Sequence, residues 1–422
     1  SKLSKTTIKL PPGQSVPTPA QTVHVVIIGC GEISRLYVNC LAGKPNILIA
    51  AVCDINKEAA STLCAEVNLL QRRAFNTTDS TISECIAIND LNQINATFLA
   101  TVGKQILAVN LTPPEHHYHI NQHLLLNTGN NMCGVWSEKP IAPSYKEAMS
   151  LVATASARNI QLGCSPVTYF GAAQQSVARN LHRIGQPLMV DCRVLCGGWM
   201  DHSFRTCGWK QHRRFGIGSL RDVGIYPLAL LTSFFGRCIS VTASSLASTT
   251  NTTKTTSSTN INENDNDNDN ENEKTAASSI GNNLDGWMVR VVFENGCIAN
   301  IASSMSLSAS AAGGQTPYGM TLRGDQGTIT MDAMWNNDTR IIFVPEKNDT
   351  TTTTPSLLQP GSATVLSTSR SPFLVQHNVS HPHVCDWSIG IEEMARNITA
   401  TPKSTTTTTN STTTTTTNNS TT

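Results

Sequence analysis

VHVVIIGCGEIS, residues 23–34, decides the fold. Val23 to Ile28 is a short apolar, largely β-branched run, of the kind buried on both faces of a parallel sheet, and it ends in glycines before helix-like sequence from Glu32 to Leu41. Gly29 permits the tight turn, and Gly31 lets the backbone approach a pyrophosphate whose charge meets the amides of Glu32 and Ile33 at the helix start. Ser34 stands where a third glycine or alanine is usual, and it is small enough to keep helix and strand close. The next strand, ILIAAVC over 47–53, ends at Asp54, 54 − 31 = 23 residues past Gly31. At that spacing a carboxylate accepts hydrogen bonds from the adenosine ribose hydroxyls and repels a 2′-phosphate, so NAD is expected in preference to NADP.

Working outward, a helix is expected over 57–67, strands at 106–111, 135–137 and 160–164, and helices through Leu126 and over 144–157. Strands alternating with helices predict an α/β fold with an open, doubly wound Rossmann sheet. After Tyr169 the pattern changes: 190–195, 289–293, 297–303, 320–323, 328–331 and 341–344 read as strands joined by short turns, with a helix over 223–235. This predicts a second, α+β domain on a largely antiparallel sheet. The expected organisation is a disordered tail 1–21, a dinucleotide-binding domain 22–163, a substrate and dimerisation domain 164–398 and a disordered Thr/Asn-rich tail 399–422. Stretches 248–279 and 348–360 read as low-complexity insertions in surface loops.

Composition narrows the function further. Among 422 residues, 30 Lys and Arg against 29 Asp and Glu leave a net charge of +1, which excludes a strongly basic nucleic-acid binder. No apolar run reaches the ~18 residues a spanning helix needs. The 13 cysteines are odd in number and scattered, which suits reduced thiols and a cytoplasmic location. His116, His117, His119 and His123, and likewise Cys192, Cys196, His202 and Cys207, lack the close pairings of a zinc site, so no metal is expected.

Two further stretches carry chemistry. Glu138-Lys139-Pro140 follows a short strand, and ligands of open parallel sheets bind beyond the carboxyl ends of strands. Asp222-Val223-Gly224-Ile225-Tyr226 places Asp222 and Tyr226 on one face if the segment is helical, although Pro227 disfavours helix at the residue before it. Taken singly, Lys139 is a turn lysine, Asp222 a helix cap and Tyr226 a packing residue. Oxidising an alcohol needs a base for the hydroxyl proton. Tyrosine, with an ordinary pKa of about 10, becomes a workable one beside an ammonium.

In order, GxGxxS, the strand-ending Asp54, VNLTPPEHHYH (109–119), VWSEKPIA (135–142) and GSLRDVGIYPL (218–228) resemble the Gfo/Idh/MocA oxidoreductases over residues 23–397. The resemblance implies a hydride-transferring enzyme acting on a sugar, polyol or related diol, with Lys139, Asp222 and Tyr226 around the reacting carbinol. Many members carry histidine where this chain has Tyr226. Thr112, Pro113 and His117 match the stretch beside the cofactor, and Gly29, Gly31, Glu32, Ile33, Asp54, Glu138 and Lys139 complete the expected NAD contacts. Tyr169, Trp209 and Arg213 are the substrate-side candidates, and a homodimer through the open face of the second sheet is implied. Two other functions on this fold stay open: a non-catalytic nucleotide-sensing regulator and an NAD-dependent glycosidase. The chain also departs from the family. Residues 82–105 and 129–136 read as loop insertions, and no apolar helix follows residue 398, which would leave apolar surface uncovered unless another segment substitutes.

Overall fold

The computed structural model describes residues 22–75, 83–197, 219–245, 286–308, 318–334, 339, 341–346, 364–366 and 389–400. The expected disordered tail 1–21, the insertions 248–279 and 348–360, the end of the chain from 401, and the candidates Trp209 and Arg213 lie outside the described residues.

The first half alternates β1 (Val23–Ile28), α1 (Glu32–Leu41), β2 (Ile47–Cys53), α2 (Lys57–Ala74), β3 (Ile86–Ile88), α3 (Ala96–Val102), β4 (Ile106–Asn110), α4 (His117–Leu126), β5 (Met132–Ser137), α5 (Tyr145–Ala157) and β6 (Gln161–Cys164). Strand order is β3-β2-β1-β4-β5-β6 and every pair is parallel. Local chemistry sets the helix starts: the Asn56 side chain accepts from Glu58 and Ala59 amides to open α2, and Ser144 forms a capping box with Glu147 to open α5. The segment 82–105 is more than a loop insertion. Asn95 caps α3, and Ile88, Ile94 and Leu99 are buried, so this stretch adds an edge strand and a helix to the layer. Likewise residues 129–136 form a 3₁₀ turn followed by a strand that begins at Met132.

The second half comprises α6 (Ala172–Asn180), β7 (Pro187–Gly197), a π-helical turn at Leu220–Gly224, α7 (Ile225–Phe235), β8 (Cys238–Ser245), β9 (Gly286–Phe293), β10 (Ile298–Ser308), β11 (Met320–Gly324), β12 (Gly327–Met331), β13 (Ile341–Pro345) and β14 (Thr364–Leu366). The sheet runs β14-β13-β12-β11-β7-β10-β9-β8, antiparallel throughout except for the parallel pair β7–β10. One face of it is covered by α6 and α7 around Val190, Val194, Val291, Ile301 and Leu322.

A last helix, α8 (Ile389–Ala400), returns to the first sheet. Ile391, Met394, Ala395 and Ile398 recur at helical spacing, are buried, and join the core formed by α1, α2 and the sheet. In order of strands, α1 and α2 cover β1 and β2 on this side, so β5 and β6 need a third helix, and α8 supplies it. The expectation of a missing C-terminal helix is therefore corrected. The segment ending at Ile398 is itself the covering helix, and Lys44 pairs with Glu392 at 2.6 Å to fasten it. No helix among the described residues is long and apolar enough to cross a membrane.

Candidate active site

Five turns leave the carboxyl ends of the parallel strands side by side. The Gly29 amide bonds Cys53 O, Leu111 N bonds Ile28 O, Glu138 N bonds Asn110 O and Ser165 N bonds Ser137 O. The two glycines of the first turn serve different purposes. Gly29 has φ +94°, and a Cβ there would lie 2.8 Å from the Leu111 carbonyl, so it is required by the fold. Gly31 has φ −74°, an ordinary value, and a Cβ there would meet nothing within 4 Å. The fold does not demand a glycine at 31; that open space is room for a ligand to reach the backbone. No side chain caps α1 at this end, which leaves the amides of Glu32 and Ile33 to face an anion. Replacing Gly31 by valine is expected to leave the melting temperature unchanged and to weaken NADH binding by about 100-fold or more, read by fluorescence titration. Ser34 is buried and donates to Gly31 O at 2.5 Å, keeping the turn tight against the strand.

Asp54 accepts from the Cys30 amide at 2.7 Å through Oδ2 and from the Asn56 amide at 2.8 Å through Oδ1. A carboxylate offers about four acceptor positions, so two remain for ribose hydroxyls. Burial, then the Asp54 charge, pushes the Cys30 thiol up to about 12, so the turn carries a neutral sulfur that does not repel phosphate. Next to Asp54 stands Ile55, 95% exposed, an apolar side chain in water at the mouth of the crevice. Sequence reasoning passed over it, since the spacing rule stops at the acid.

Thr112 and Pro113 sit on the turn after β4. The fully buried Asn110 organises that turn, accepting from Thr112 N at 3.2 Å and Thr112 Oγ1 at 2.7 Å and donating to Asn121 Oδ1 at 2.9 Å. A buried asparagine ending an apolar strand was the signal for this role. His117 is fully buried, with Nδ1 2.6 Å from Pro140 O and Nε2 2.7 Å from Thr112 O. Glu138 is also buried and engaged by Tyr37, Ser165 and the Lys139 amide. Both were expected as cofactor contacts. Their side-chain atoms are instead spent on protein partners, and they act by joining the turns that line the crevice.

Lys139 reaches from the first half of the chain to the second. Its Nζ donates to the carbonyl oxygen of Asp222 at 2.8 Å and to the Asp222 carboxylate, and it lies 5.7 Å from the centroid of the Tyr226 ring, within cation–π range. The paired side chains are only 13% and 12% exposed. Pro227 does not interrupt the helix. The carbonyl four residues earlier, where a proline ring would clash, belongs to Val223 in the π-helical turn, and the widened backbone there makes room. Asp222 and Tyr226 thus lie on one continuous helical segment. Tyr169, the substrate-side candidate among the described residues, is partly buried and packs its ring on Phe170 and Phe234, 5.7 and 6.4 Å between centroids, against the same core as Tyr226. Among the described residues no group of three or more His, Cys, Asp or Glu converges to hold a metal.

Residues 23–165 match the family model described as the NAD-binding Rossmann fold of an oxidoreductase family, and residues 180–371 match the C-terminal alpha/beta domain of the same family. The chain belongs to the Gfo/Idh/MocA oxidoreductase family. It is an NAD-binding oxidoreductase of that family. Among solved structures, an inositol dehydrogenase homolog from Azotobacter vinelandii complexed with NADH and myo-inositol is similar, with a TM-score of 0.60 and 16% identity, covering 91% of this chain and 88% of that one. The WlbA dehydrogenase of Bordetella pertussis, complexed with NADH and UDP-GlcNAcA, has a TM-score of 0.53 and 17% identity over 76% of this chain and 77% of that one. A 3-ketoreductase from Actinomadura kijaniata, in complex with NADP, has a TM-score of 0.55 and 15% identity over 89% of each chain. At these identities the likeness is one of fold. No curated protein matches the chain in sequence.

Proposed function

We propose that this Gfo/Idh/MocA protein is an NAD-dependent dehydrogenase of a sugar, polyol or related diol, in which Lys139 and Tyr226 form the proton-transfer pair and Asp222 anchors them. The observation that carries the reading is the reach of Lys139 Nζ to Asp222 and the Tyr226 ring, 83 residues and more along the chain, at the open end of a dinucleotide fold. An ammonium has three donors. Two are taken by Asp222, and the third is left for a substrate oxygen. When bound, the nicotinamide supplies the hydride acceptor. The protein's part is to take the hydroxyl proton onto the Tyr226 phenolate and to hold the developing alkoxide with Lys139. The dinucleotide would be held by the Gly29–Ile33 turn, by Asp54, by the Thr112–Pro113 turn and, along the adenine, by Ile55. Polyol and sugar-nucleotide ligands in neighbours of this fold support a carbinol substrate.

The preference for NAD rests on Asp54. A neighbour of the same fold is held with NADP, so the choice lies in residues such as this one. Asp54→Asn keeps the shape and removes the charge that opposes a 2′-phosphate; kcat/KM for NADP relative to NAD is expected to rise about tenfold or more, the equivalent of roughly 1.4 kcal/mol. An unchanged ratio would remove Asp54 as the discriminator. The open sheet face exposes Met189 and Met288, 39% and 52%, and we place a second copy of the chain there; light scattering at the mass of one chain would exclude the dimer.

The function itself is tested by mixing the purified protein and NAD with a panel of aldoses, inositols and diols and following NADH formation. Turnover of a carbinol supports the dehydrogenase. Nucleotide binding without turnover of any panel member would leave the regulator, and release of an aglycone from a glycoside without NADH accumulation would leave the glycosidase.

A further inference from the structure

Behind Lys139, three separate segments meet on one buried carboxylate. Tyr37, wholly buried in α1, donates its phenol hydrogen to Glu138 Oε1 at 2.6 Å. Ser165, at the end of β6, has its Oγ 2.9 Å from the Tyr37 oxygen and donates to the same Glu138 Oε1 at 3.2 Å. The other carboxylate oxygen, Oε2, accepts the main-chain N–H of Lys139 at 2.9 Å. Glu138 is 8% exposed, so its oxygens have little water to turn to, and these protein donors decide how the carboxylate is held.

Tyr37 has no chemical use of its own. Burial first, then the Glu138 charge, pushes its phenol well above the ordinary tyrosine range, so it stays a hydrogen donor and does not serve as a base. Its value is geometric. It stands on the helix whose first turn would face the dinucleotide, one turn further along the same face as Ile33 and Ser34, and its bond spans 101 residues to the turn that bears Lys139. We propose that Tyr37 is a positioning residue for Lys139: by holding Glu138 from α1, it fixes the direction of the Glu138–Lys139 peptide and hence the reach of the ammonium to Asp222 and Tyr226. Ser165 is the lesser partner, because its bond to Glu138 is longer and Tyr37 remains when it is removed. The same phenol thereby ties the cofactor turn to the lysine, so that a shift in one is felt by the other.

The effect on rate rests on the dehydrogenase reading, so a second measurement is needed that does not. Tyr37→Phe keeps the ring in the core and removes only the hydroxyl. In the full chain, kcat on the best substrate of the panel is expected to fall about tenfold or more, the scale of one hydrogen bond to a charged group, with KM and NADH affinity within about twofold of wild type. Independently, acetylation of lysines by acetic anhydride is followed residue by residue by mass spectrometry. Lys139, sheltered in its ion pair, is expected to react about fivefold or more faster in Tyr37→Phe, while Lys44, just past the same helix and sheltered in its pair with Glu392, keeps its wild-type rate. A merely structural role would loosen that helix and speed Lys44 as well. Unchanged Lys139 labelling overturns the proposal whatever happens to kcat. If the wild-type chain turns over nothing, the dehydrogenase reading fails and the labelling alone decides this inference. Should Tyr37→Phe not fold, Ser165→Ala is labelled in the same way: a selective but smaller rise at Lys139 supports the network, and none overturns it.

Discussion

Lys139→Met is expected to abolish measurable turnover, a fall in kcat of at least about 10³-fold, while NADH still binds within about threefold of wild type. The argument is one of separable parts. The hydrogen bonds that shape the dinucleotide turn, Asp54 and the Thr112 turn do not involve the Lys139 ammonium, which is held on Asp222 beside the Tyr226 ring. Methionine preserves the stem but leaves the Asp222 carboxylate, 12% exposed, without its cation. Breaking a buried pair in this way costs about 3–5 kcal/mol, so some loss of stability is expected as well. Lys139→Met combined with Asp222→Asn removes that cost and restores the melting temperature without restoring turnover. Stability that recovers while activity does not separates chemistry from folding. If Lys139→Met retains kcat within about threefold of wild type, Lys139 is no part of the reaction.

How much of this was legible in the sequence follows from range. Elements set by local pattern were legible nearly to the residue: β1, α1 and β2 fall where the apolar runs and the glycines put them. Elements whose signal is tertiary were not. β8 alternates Ile239, Val241 and Ala243 with Ser240, Thr242 and Ser244, yet it is exposed along most of its length, and its place in the sheet comes from pairing with β9. The parallel pair β7–β10 is likewise a long-range choice that short turns do not announce. Ile391, Met394, Ala395 and Ile398 recur at helical spacing, yet the sheet they cover is formed far earlier in the chain, and spacing alone does not announce that contact.

The site divides in the same way. Each of Lys139, Asp222 and Tyr226 was legible as a residue of a motif, yet their meeting is a property of the assembled chain. The resemblance to the family assigned His117 and Glu138 to the cofactor by their places in its motifs. Burial decides otherwise for their side chains, since a zero-exposed imidazole with a carbonyl at each nitrogen has nothing left to offer a ligand. Tyr37 was invisible for the complementary reason: an apolar-faced helix accepts a tyrosine as core, and only the partner 101 residues away gives the hydroxyl its purpose.

The covering role of α8 yields the largest expected change in stability. Ile391→Asp should destabilise the chain by about 5 kcal/mol or more, seen as a lowered urea midpoint and a collapse of soluble yield. Two costs add. Removing a fully buried isoleucine forfeits about 2–5 kcal/mol of burial and packing, and the carboxylate put in its place enters the apolar side of a sheet among Trp136, Met394 and Ile398. The packing there is close: a Cβ on Gly134 or Gly163 would come within 2.7 Å of Met394 side-chain atoms, so neither helix nor sheet has slack to absorb the change. Arg396→Ala is the control. Arg396 lies on the outer face, 62% exposed and paired with Glu393, and its loss should change the stability by no more than about 0.5 kcal/mol and leave the midpoint nearly unmoved. The contrast between two substitutions five residues apart distinguishes a docked helix from a solvated one. Equal midpoints for Ile391→Asp and Arg396→Ala would mean that α8 does not cover the sheet, and β5 and β6 would then need another partner on that face.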